Sequence, residues 1–436
     1  MDPQPPSAPG EDGGALSTPL DDQARARGRR LAITSHPAGM TFSMVFTQQL
    51  PTLALLSLGA SEAAVGVQNA LGPGMAVLQL PTLRRVGRTA KRRILTFGQG
   101  AACLGALPLL FFPTLAELPS GVSIGICLAS LAIVSAGLSI SNTVWFPILR
   151  GYVDSHRIGR FFGTLRSGWH LTLILYYLGA QRWLSVNPGS FAPLFALGWL
   201  FGLLRIVLIS RMPERSERTG EPIRLRESLR RVLGNAALRR YLLGMSWTGA
   251  LRMIVLPFWI VMLRREVGLS DGDVIATTVA TFAGGFASLY LWGHVVDRVG
   301  APPVFRLTAL GLAACFGSLV FVEAGGPATV AAMIAFAFLV AVLSSGFGVA
   351  DTHVLFKLTP GDTPAPVLVT VSVIISLVIG AAPVIAGFVL ERLVAASDAP
   401  LEIYHTLFAI AALLQALAFL PLRRFARGHA FAEWPG

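Results

Sequence analysis

Apolar residues run along this chain in twelve blocks of about twenty, and the stretches between them hold most of the charges. The blocks lie near residues 38–58, 63–83, 94–113, 122–146, 162–184, 191–210, 240–263, 272–293, 304–322, 328–350, 365–391 and 402–421. About twenty residues of helix rise roughly 30 Å, the thickness of a bilayer's hydrocarbon core. None of the blocks alternates with the two-residue period of a membrane barrel strand, and lipid cannot satisfy an unpaired backbone. The pattern therefore predicts an all-α polytopic membrane protein. Blocks one and five carry the most polar interruptions.

The second half of the chain echoes the first. Gly293-His-Val-Val-Asp-Arg-Val-Gly300 lies between blocks eight and nine, and a damaged copy, Leu80-Pro-Thr-Leu-Arg-Arg-Val-Gly87, lies between blocks two and three. Ala101-Ala-Cys-Leu-Gly105 and Ala313-Ala-Cys-Phe-Gly317 repeat at nearly the same offset. Such echoes suggest two similar bundles with a pathway between them. The expected organisation is a disordered tail over 1–32, a six-helix bundle over 33–210, a basic linker over 211–239, a second bundle over 240–422 and a tail over 423–436. The tail's Pro/Gly/Asp/Arg composition cannot build a core. No short signal-type apolar region is read in residues 1–30, so block one is expected to direct insertion. Within the linker, residues 223–240 place Leu and Val among arginines at helical spacing, the pattern of an amphipathic helix on a membrane face.

The 436 residues are 53% hydrophobic and 13% charged, about half the charged share of a soluble domain. The formal charge of +12 follows topology and does not mark nucleic-acid binding. Arg84, Arg85, Arg88, Lys91, Arg92 and Arg93 follow block two, Arg150, Arg157 and Arg160 follow block four, and an Arg run fills 211–240. The segments 59–62 and 114–121 on the opposite side carry no cation, although Arg264 and Arg265 break the rule. This asymmetry predicts that both termini lie in the cytoplasm, and the expected location is the plasma (bacterial inner) membrane. Cys103, Cys127 and Cys315 fall inside blocks, without the spacing of a disulfide framework or a zinc site, and no cofactor or metal is expected.

On these residues the chain resembles the major facilitator superfamily over about residues 35–425. The resemblance rests on the twelve blocks in two halves, the basic linker and the glycine-flanked Asp297-Arg298 loop. Asn235-Ala-Ala-Leu-Arg-Arg-Tyr-Leu, Leu256-Pro-Phe-Trp, Val267-Gly-Leu-Ser270 and Arg157-Ile-Gly-Arg-Phe-Phe-Gly163 add to it. It implies twelve transmembrane helices in two pseudo-symmetric bundles, a central cavity lined by spans one, four, seven and ten, and a gating latch of Gly293, Asp297, Arg298, Gly300 and Arg306. An aspartate there can accept from exposed helix N-terminal amides, where the helix dipole favours an anion. The first copy departs from the pattern: Leu80 stands for glycine and Arg84 for aspartate. Span five lacks the glycine-proline signature common in antiporters of the family, while Gly380-Ala-Ala-Pro-Val-Ile-Ala-Gly387 keeps the Gly/Pro character in span eleven.

Arg252 is the sharpest single residue. It lies eleven residues past Tyr241, about 17 Å into the membrane at 1.5 Å per residue. A guanidinium at that depth costs at least ~2.5 kcal/mol unless it faces water, protein or solute. Thr248, Val255 and Trp259 share its helical face, and an arginine beside an aromatic suits an anionic or zwitterionic solute. An internally paired arginine is the competing reading. Span one offers Thr41, Gln48 and Thr52, with Gln49 beside them; span four offers Ser139, Asn142 and Trp145; span ten offers Ser344, Ser345 and Phe347. Such groups also serve as interhelical hydrogen bonds. His36 and His170 are the side chains whose ordinary range lies near neutrality, and His170 is the candidate for proton coupling. No Asp or Glu lies well inside a block; Asp351, Glu391 and Glu402 fall near the ends.

The expected function is secondary transport of a small organic solute by a monomer in the bilayer, with protons as the candidate coupling ion. The other reading is a non-transporting scaffold of the same fold, such as an assembly factor for pigment complexes, which the damaged first loop favours. No phosphate-binding G-x-x-x-x-G-K-[ST] loop suggests a nucleotide-driven pump. The seven histidines are scattered without ligand spacing, so an enzyme is not expected.

Overall fold

A computed structural model describes residues 20–86, 89–153, 158–214, 225–323, 325–358 and 365–423. Gly87 of the first loop copy, the adjoining Arg88, Arg157, and much of the linker and tails lie outside the described residues. All regular structure among the described residues is helical. The first half contains α1 (Asp22–Thr47), α2 (Gln49–Ser57), α3 (Glu62–Gly74), α4 (Gln79–Val86), α5 (Lys91–Leu110), α6 (Phe112–Ala116), α7 (Ser120–Arg150), α8 (Ile158–Val186) and α9 (Ala192–Ser210). The linker helix is α10 (Leu225–Gly234). The second half contains α11 (Ala236–Arg265), α12 (Asp271–Val299), α13 (Ala301–Ser318), α14 (Pro327–Leu358), α15 (Ala365–Ala395) and α16 (Pro400–Leu417).

Among the described residues, nine helices are long and apolar enough to cross a membrane, and they match the third, fourth, sixth and all later blocks. The other three blocks form helices too, but with interruptions. Block one is split at Gln48, because the ring of Pro51 cannot sit against the Thr47 carbonyl of a continuous helix. Block two narrows to a 3-10 turn over Met75–Leu78, between Pro73 and Pro81. Block five is a 29-residue helix, α8, made more polar by Arg166, His170 and Arg182. The expected disordered tail over 1–32 is shortened: α1 already begins at Asp22, capped by Asp21, whose side chain accepts from the Ala24 amide at 2.6 Å. The amphipathic linker helix ends at Gly234, and Asn235 caps α11 by accepting from Ala237 and Leu238.

Helix pairings repeat between the halves. In the first, α1 packs on α8 and α9, and α5 on α7 and α9. In the second, α11 packs on α15 and α16, and α13 on α14 and α16, which is the same set moved six spans along. The halves meet through α3 against α15 and α8 against α12, two pairs that exchange under the same operation.

The packed core shows how the halves sit. One continuous cluster joins them, with Phe42, Leu50, Leu173, Tyr177 and Phe195 from the first half and Leu251, Phe258, Phe282, Phe336 and Tyr404 from the second. Toward the end that carries the linker, it divides into two separate clusters. One holds Ala32, Leu95, Val144, Tyr152 and Ile209; the other holds Val232, Tyr241, Trp292, Phe305 and Leu422. The halves are thus fused at the far end and part toward the linker end. The linker-end shell of the first half is tied by polar contacts: Arg29 donates to the Tyr152 carbonyl at 3.1 Å, the Tyr152 hydroxyl to Pro213 at 2.5 Å, and the Arg92 amide to Glu214 at 3.1 Å.

Backbone contact makes the far-end closure tight. A Cβ on Gly66 of α3 would lie 2.2 Å from the Pro383 carbonyl of α15, and one on Gly387 would lie 2.6 Å from the Glu62 carbonyl. Span eleven's glycines and proline therefore serve helix approach. Gly66→Leu should force α3 and α15 apart at a cost of about 1–3 kcal/mol, the usual penalty of overpacking. A lower unfolding temperature of the purified protein is expected; an unchanged one would mean that these helices are not in contact.

Candidate functional site

Between the joined core and the two separate ones lies a layer of polar side chains. Along α1 it falls between Ala32 and Phe42, at His36; along α7 between Leu138 and Val144, at Ser139 and Asn142. Along α11 it falls between Met245 and Leu251, at Thr248 and the adjacent Arg252; along α14 between Val340 and Phe347, at Ser344 and Ser345. His170, Gln99, Arg205 and Gln415 occupy the same layer on α8, α5, α9 and α16. Most of the buried side-chain polar atoms without a hydrogen-bond partner among the described residues are here. They include His36 Nδ1, Gln99 Oε1, Ser139 Oγ, Arg205 Nε, Thr248 Oγ1, Arg252 Nε, Ser344 Oγ and the Gln415 amide. Buried polar groups normally find partners, so a band of unmet donors and acceptors at one depth marks a place built for polar contact.

The sequence-derived candidates divide within this frame. Arg252, Thr248, Asn142, Ser344 and Ser345 lie in the layer; Asn142 is exposed and Arg252 partly so. Trp145 sits one turn beyond Asn142, stacked on His36 with ring centroids 5.5 Å apart, and the Arg205 guanidinium lies 5.0 Å from its centroid. Trp259 lies apart from Arg252, about 10 Å further along α11. It is packed in the joined core, where its indole N–H meets Met333 Sδ at 3.2 Å and its ring meets Phe336. Phe347 packs against Phe305, the ring centroids 5.0 Å apart and the planes tilted by 59°, and belongs to the second half's own core. Thr41 bonds the Pro37 carbonyl of its own helix, and Thr52 donates to Gln68 at 2.8 Å, tying span one to span two. Gln48 is exposed at the helix break, while Gln49 accepts from Thr278 across the two halves. His170 is buried in the α8–α12 seam, its Nδ1 2.9 Å from the Arg166 carbonyl, its ring on Trp169 at 3.7 Å and its Nε2 beside Gly285.

The far end carries a charged lock absent from the sequence-derived set. Glu62, buried at the first turn of α3, pairs with Arg265 at 2.5 Å and accepts from the Tyr404 hydroxyl at 2.9 Å. Arg265 also donates to the Ala60 carbonyl, and Ser61 donates to Glu391 at 3.1 Å. Each of these contacts runs from the first half to the second. Beside them Arg264 pairs with the buried Asp271 at 2.8 Å, and Asp271 is hydrogen-bonded to the backbone of Gly189 in the first half. Burial lifts the carboxyl of Glu266, in the adjoining loop, above its usual range; Arg265 draws it down and Glu62 pushes it up.

The Asp297 loop sits at the opposite end. Gly300 holds φ of 79° and ends α12, the reversal that the paired glycines implied. Gly293 has open space around it. Asp297, Arg298 and Arg306 are exposed, and none makes a hydrogen bond or ion pair among the described residues. Among the described residues, the charged contacts between the halves lie at the far end, and none involves Asp297, Arg298 or Arg306.

Sequence reasoning passed over Arg205 and Glu62 for different reasons. Arg205 is the one charge in block six, a signal that was available. However, it lies only five residues from the end of α9, where cations usually reach out to the headgroups. Here it turns inward over Gly39, whose Cβ would lie 1.5 Å from the guanidinium nitrogen. Glu62 read as loop, and nothing in sequence spacing connects it to Arg265, 203 positions away.

This is a transporter-type fold: paired helical bundles fused at one end around a polar mid-depth layer. Its particular form is the major facilitator fold, as the 293–300 loop implied. A peptide transporter solved in complex with sulfate superposes with TM-score 0.71 at 13% identity, covering 94% of this chain and 99% of that one. The xylose transporter XylE from E. coli, in its inward open conformation, gives TM-score 0.63 at 15% identity over 89% of this chain and 94% of that one. A bacterial homologue of the iron transporter ferroportin, in its inward-facing state, gives 0.62 at 15% identity over 91% and 98%. No family model and no curated protein matches the sequence.

Glu62→Gln should release the far end. In a cysteine-free background with Leu118→Cys and Glu323→Cys spin-labelled, the distribution should gain a longer-distance population; an unaltered distribution would remove Glu62 from the lock. The raised Glu266 carboxyl gives the same probe a pH dependence. A group whose pKa is raised in the closed state favours that state as pH falls through the raised value, and disfavours it above. Glu266→Gln should therefore flatten the pH response of that distance, and an equally steep response would assign it to another group.

Proposed function

We propose that this chain is a multi-pass carrier that moves a small organic anion across a membrane by alternating access. The observation that supports it most directly is Arg252. It is partly accessible and carries a buried Nε without a partner, and no hydrogen bond or acidic partner meets its guanidinium among the described residues. An uncompensated guanidinium in a low-dielectric layer binds best to a carboxylate or similar oxyanion, through two parallel hydrogen bonds. Thr248, one turn earlier on the same helix, and Ser344 on α14 offer further unpaired hydroxyls for the solute's neutral groups.

Alternating access needs two mutually exclusive closures, and the ingredients for both are present. The far-end lock of Glu62, Arg265 and Tyr404 is made, while Asp297, Arg298 and Arg306 stand free to close the linker end after the halves rock. The cation-rich loops of the linker end belong in the cytoplasm, which makes this the inward-facing state of a plasma-membrane protein.

Arg252→Gln should lower solute uptake into proteoliposomes at least tenfold, in keeping with about 1.5–3 kcal/mol for a hydrogen bond to a charged group. The variant should keep its expression level and elution volume. Uptake of an organic anion at the wild-type rate would remove Arg252 from the site. Failure of the wild-type protein to exchange any member of a broad panel of organic acids would end the carrier reading.

A further inference from the structure

Arg205 poses the sharper physical problem of the two embedded arginines. Its residue is 4% exposed and its Nε is buried without a partner. No hydrogen bond or ion pair to a described residue satisfies its guanidinium, which lies against the face of Trp145, 5.0 Å from the ring centroid. The charges around it are of its own sign. Arg166 of α8 and Arg205 both act on His36 of α1, and the titratable group that acts on Arg205 is the Cys103 thiol; no carboxylate acts on either among the described residues. His36 brings a second buried and unpartnered atom, Nδ1, and stacks on the same Trp145 within 7° of parallel. Gly39, one turn after His36, leaves the space that the guanidinium fills.

A cation–π contact of this kind is worth about 0.5–2 kcal/mol, too little to offset the loss of a guanidinium's water shell and all its hydrogen bonds. What the arrangement lacks is a negative charge with hydrogen-bond acceptors, and none of the described residues supplies one within it. We infer that Arg205, His36 and Trp145 form a second anion-binding subsite, in the first half, for a carboxylate or an oxyanion of similar size. The guanidinium fork binds two of its oxygens, the imidazole binds a third contact, and the indole face orients the fork.

This deepens the carrier reading and rests on it for one consequence. Arg252 and Arg205 occupy the same layer, one in each half, so a solute with two acidic groups is held by both halves at once. The subsite itself does not depend on transport. The same chemistry can come from the solute's second acidic group or from a free inorganic anion, and the test separates these sources.

Purified full-length protein in detergent is titrated with acetate, with inorganic phosphate and with succinate, at ionic strength held constant with choline chloride. Thermal unfolding reports binding. For wild type, acetate and phosphate should stabilise, and the apparent Kd should rise at least tenfold in Arg205→Gln. Arg205→Lys keeps the charge without the fork and should fall between the two. If Arg205→Gln does not elute as folded protein, Arg205→Lys and Trp145→Phe carry the comparison, each weakening the anion response severalfold. Succinate binding at least tenfold tighter than acetate, with the gain lost in both Arg205→Gln and Arg252→Gln, assigns the subsite to a two-headed solute. Phosphate binding that requires Arg205, without any succinate advantage, assigns it to a free anion and still supports the subsite. Equal responses in wild type and all Arg205 variants would overturn it, even where Arg252→Gln still abolishes uptake. Loss of uptake activity with the Arg205-dependent anion response intact would instead count against the carrier reading alone.

Discussion

Charge is expensive in hydrocarbon, and this fold holds two guanidiniums in its polar layer with no acidic partner among the described residues. A cation at the bilayer centre costs at least ~2.5 kcal/mol even when it can reach toward the headgroups. That cost dictates the architecture around it. The arginines cannot face lipid, so the helices that carry them must enclose a polar interior, and an enclosed polar interior needs two walls. The layer of His36, Gln99, Ser139, Arg205, Thr248, Arg252, Ser344 and Gln415 is that interior. It lies where the joined core gives way to the two separate ones.

The two ends of the molecule solve opposite problems. At the far end, the α3 and α15 backbones approach so closely that a single added carbon would collide. Small residues at helix crossings give dispersion contact where lipid offers no hydrophobic gain. Over that contact lies Glu62, a buried carboxylate satisfied by Arg265 and Tyr404. Glu62 and Tyr404 would be costly to bury alone, whereas Arg265 keeps access to water, so the buried carboxylate depends on its two partners. The linker end lacks any such apposition among the described residues. Each half there has its own core, and in the first half Arg29, Tyr152, Pro213 and Glu214 hold the loops together.

How far the site could be read from the chain depends on the kind of residue. Arg252 was legible because its depth follows from counting along one helix, and no tertiary information enters that count. The polar members of spans four and ten were legible only with the resemblance, which supplies the knowledge that those spans face inward. Trp259 shares Arg252's helical face but not its surroundings: α14 closes over it, and its indole N–H is satisfied by Met333. A face on a helix is a direction, and what lies in that direction is decided by a neighbour whose position periodicity does not encode. Arg205 is the reverse case. Its nearness to a helix end suggested a surface cation, yet Gly39 on another helix makes room for it inside.

From the order of residues alone came the helical class, the approximate blocks, the two-fold repetition and the unequal placement of cations. All of these depend on the local match between an apolar stretch and the lipid around it, or on the cost of moving arginine across a membrane. The breaks at Gln48 and Met75–Leu78 were also implicit, in Pro51, Pro73 and Pro81. Only the assembled fold decided which end is shut, that Glu62 and Arg265 shut it, and that polar residues of eight helices share one depth. These depend on pairings between segments up to 342 residues apart, such as Tyr404 with Glu62. Such pairings are chosen by the free energy of the whole packed bundle, and no window of the chain contains it.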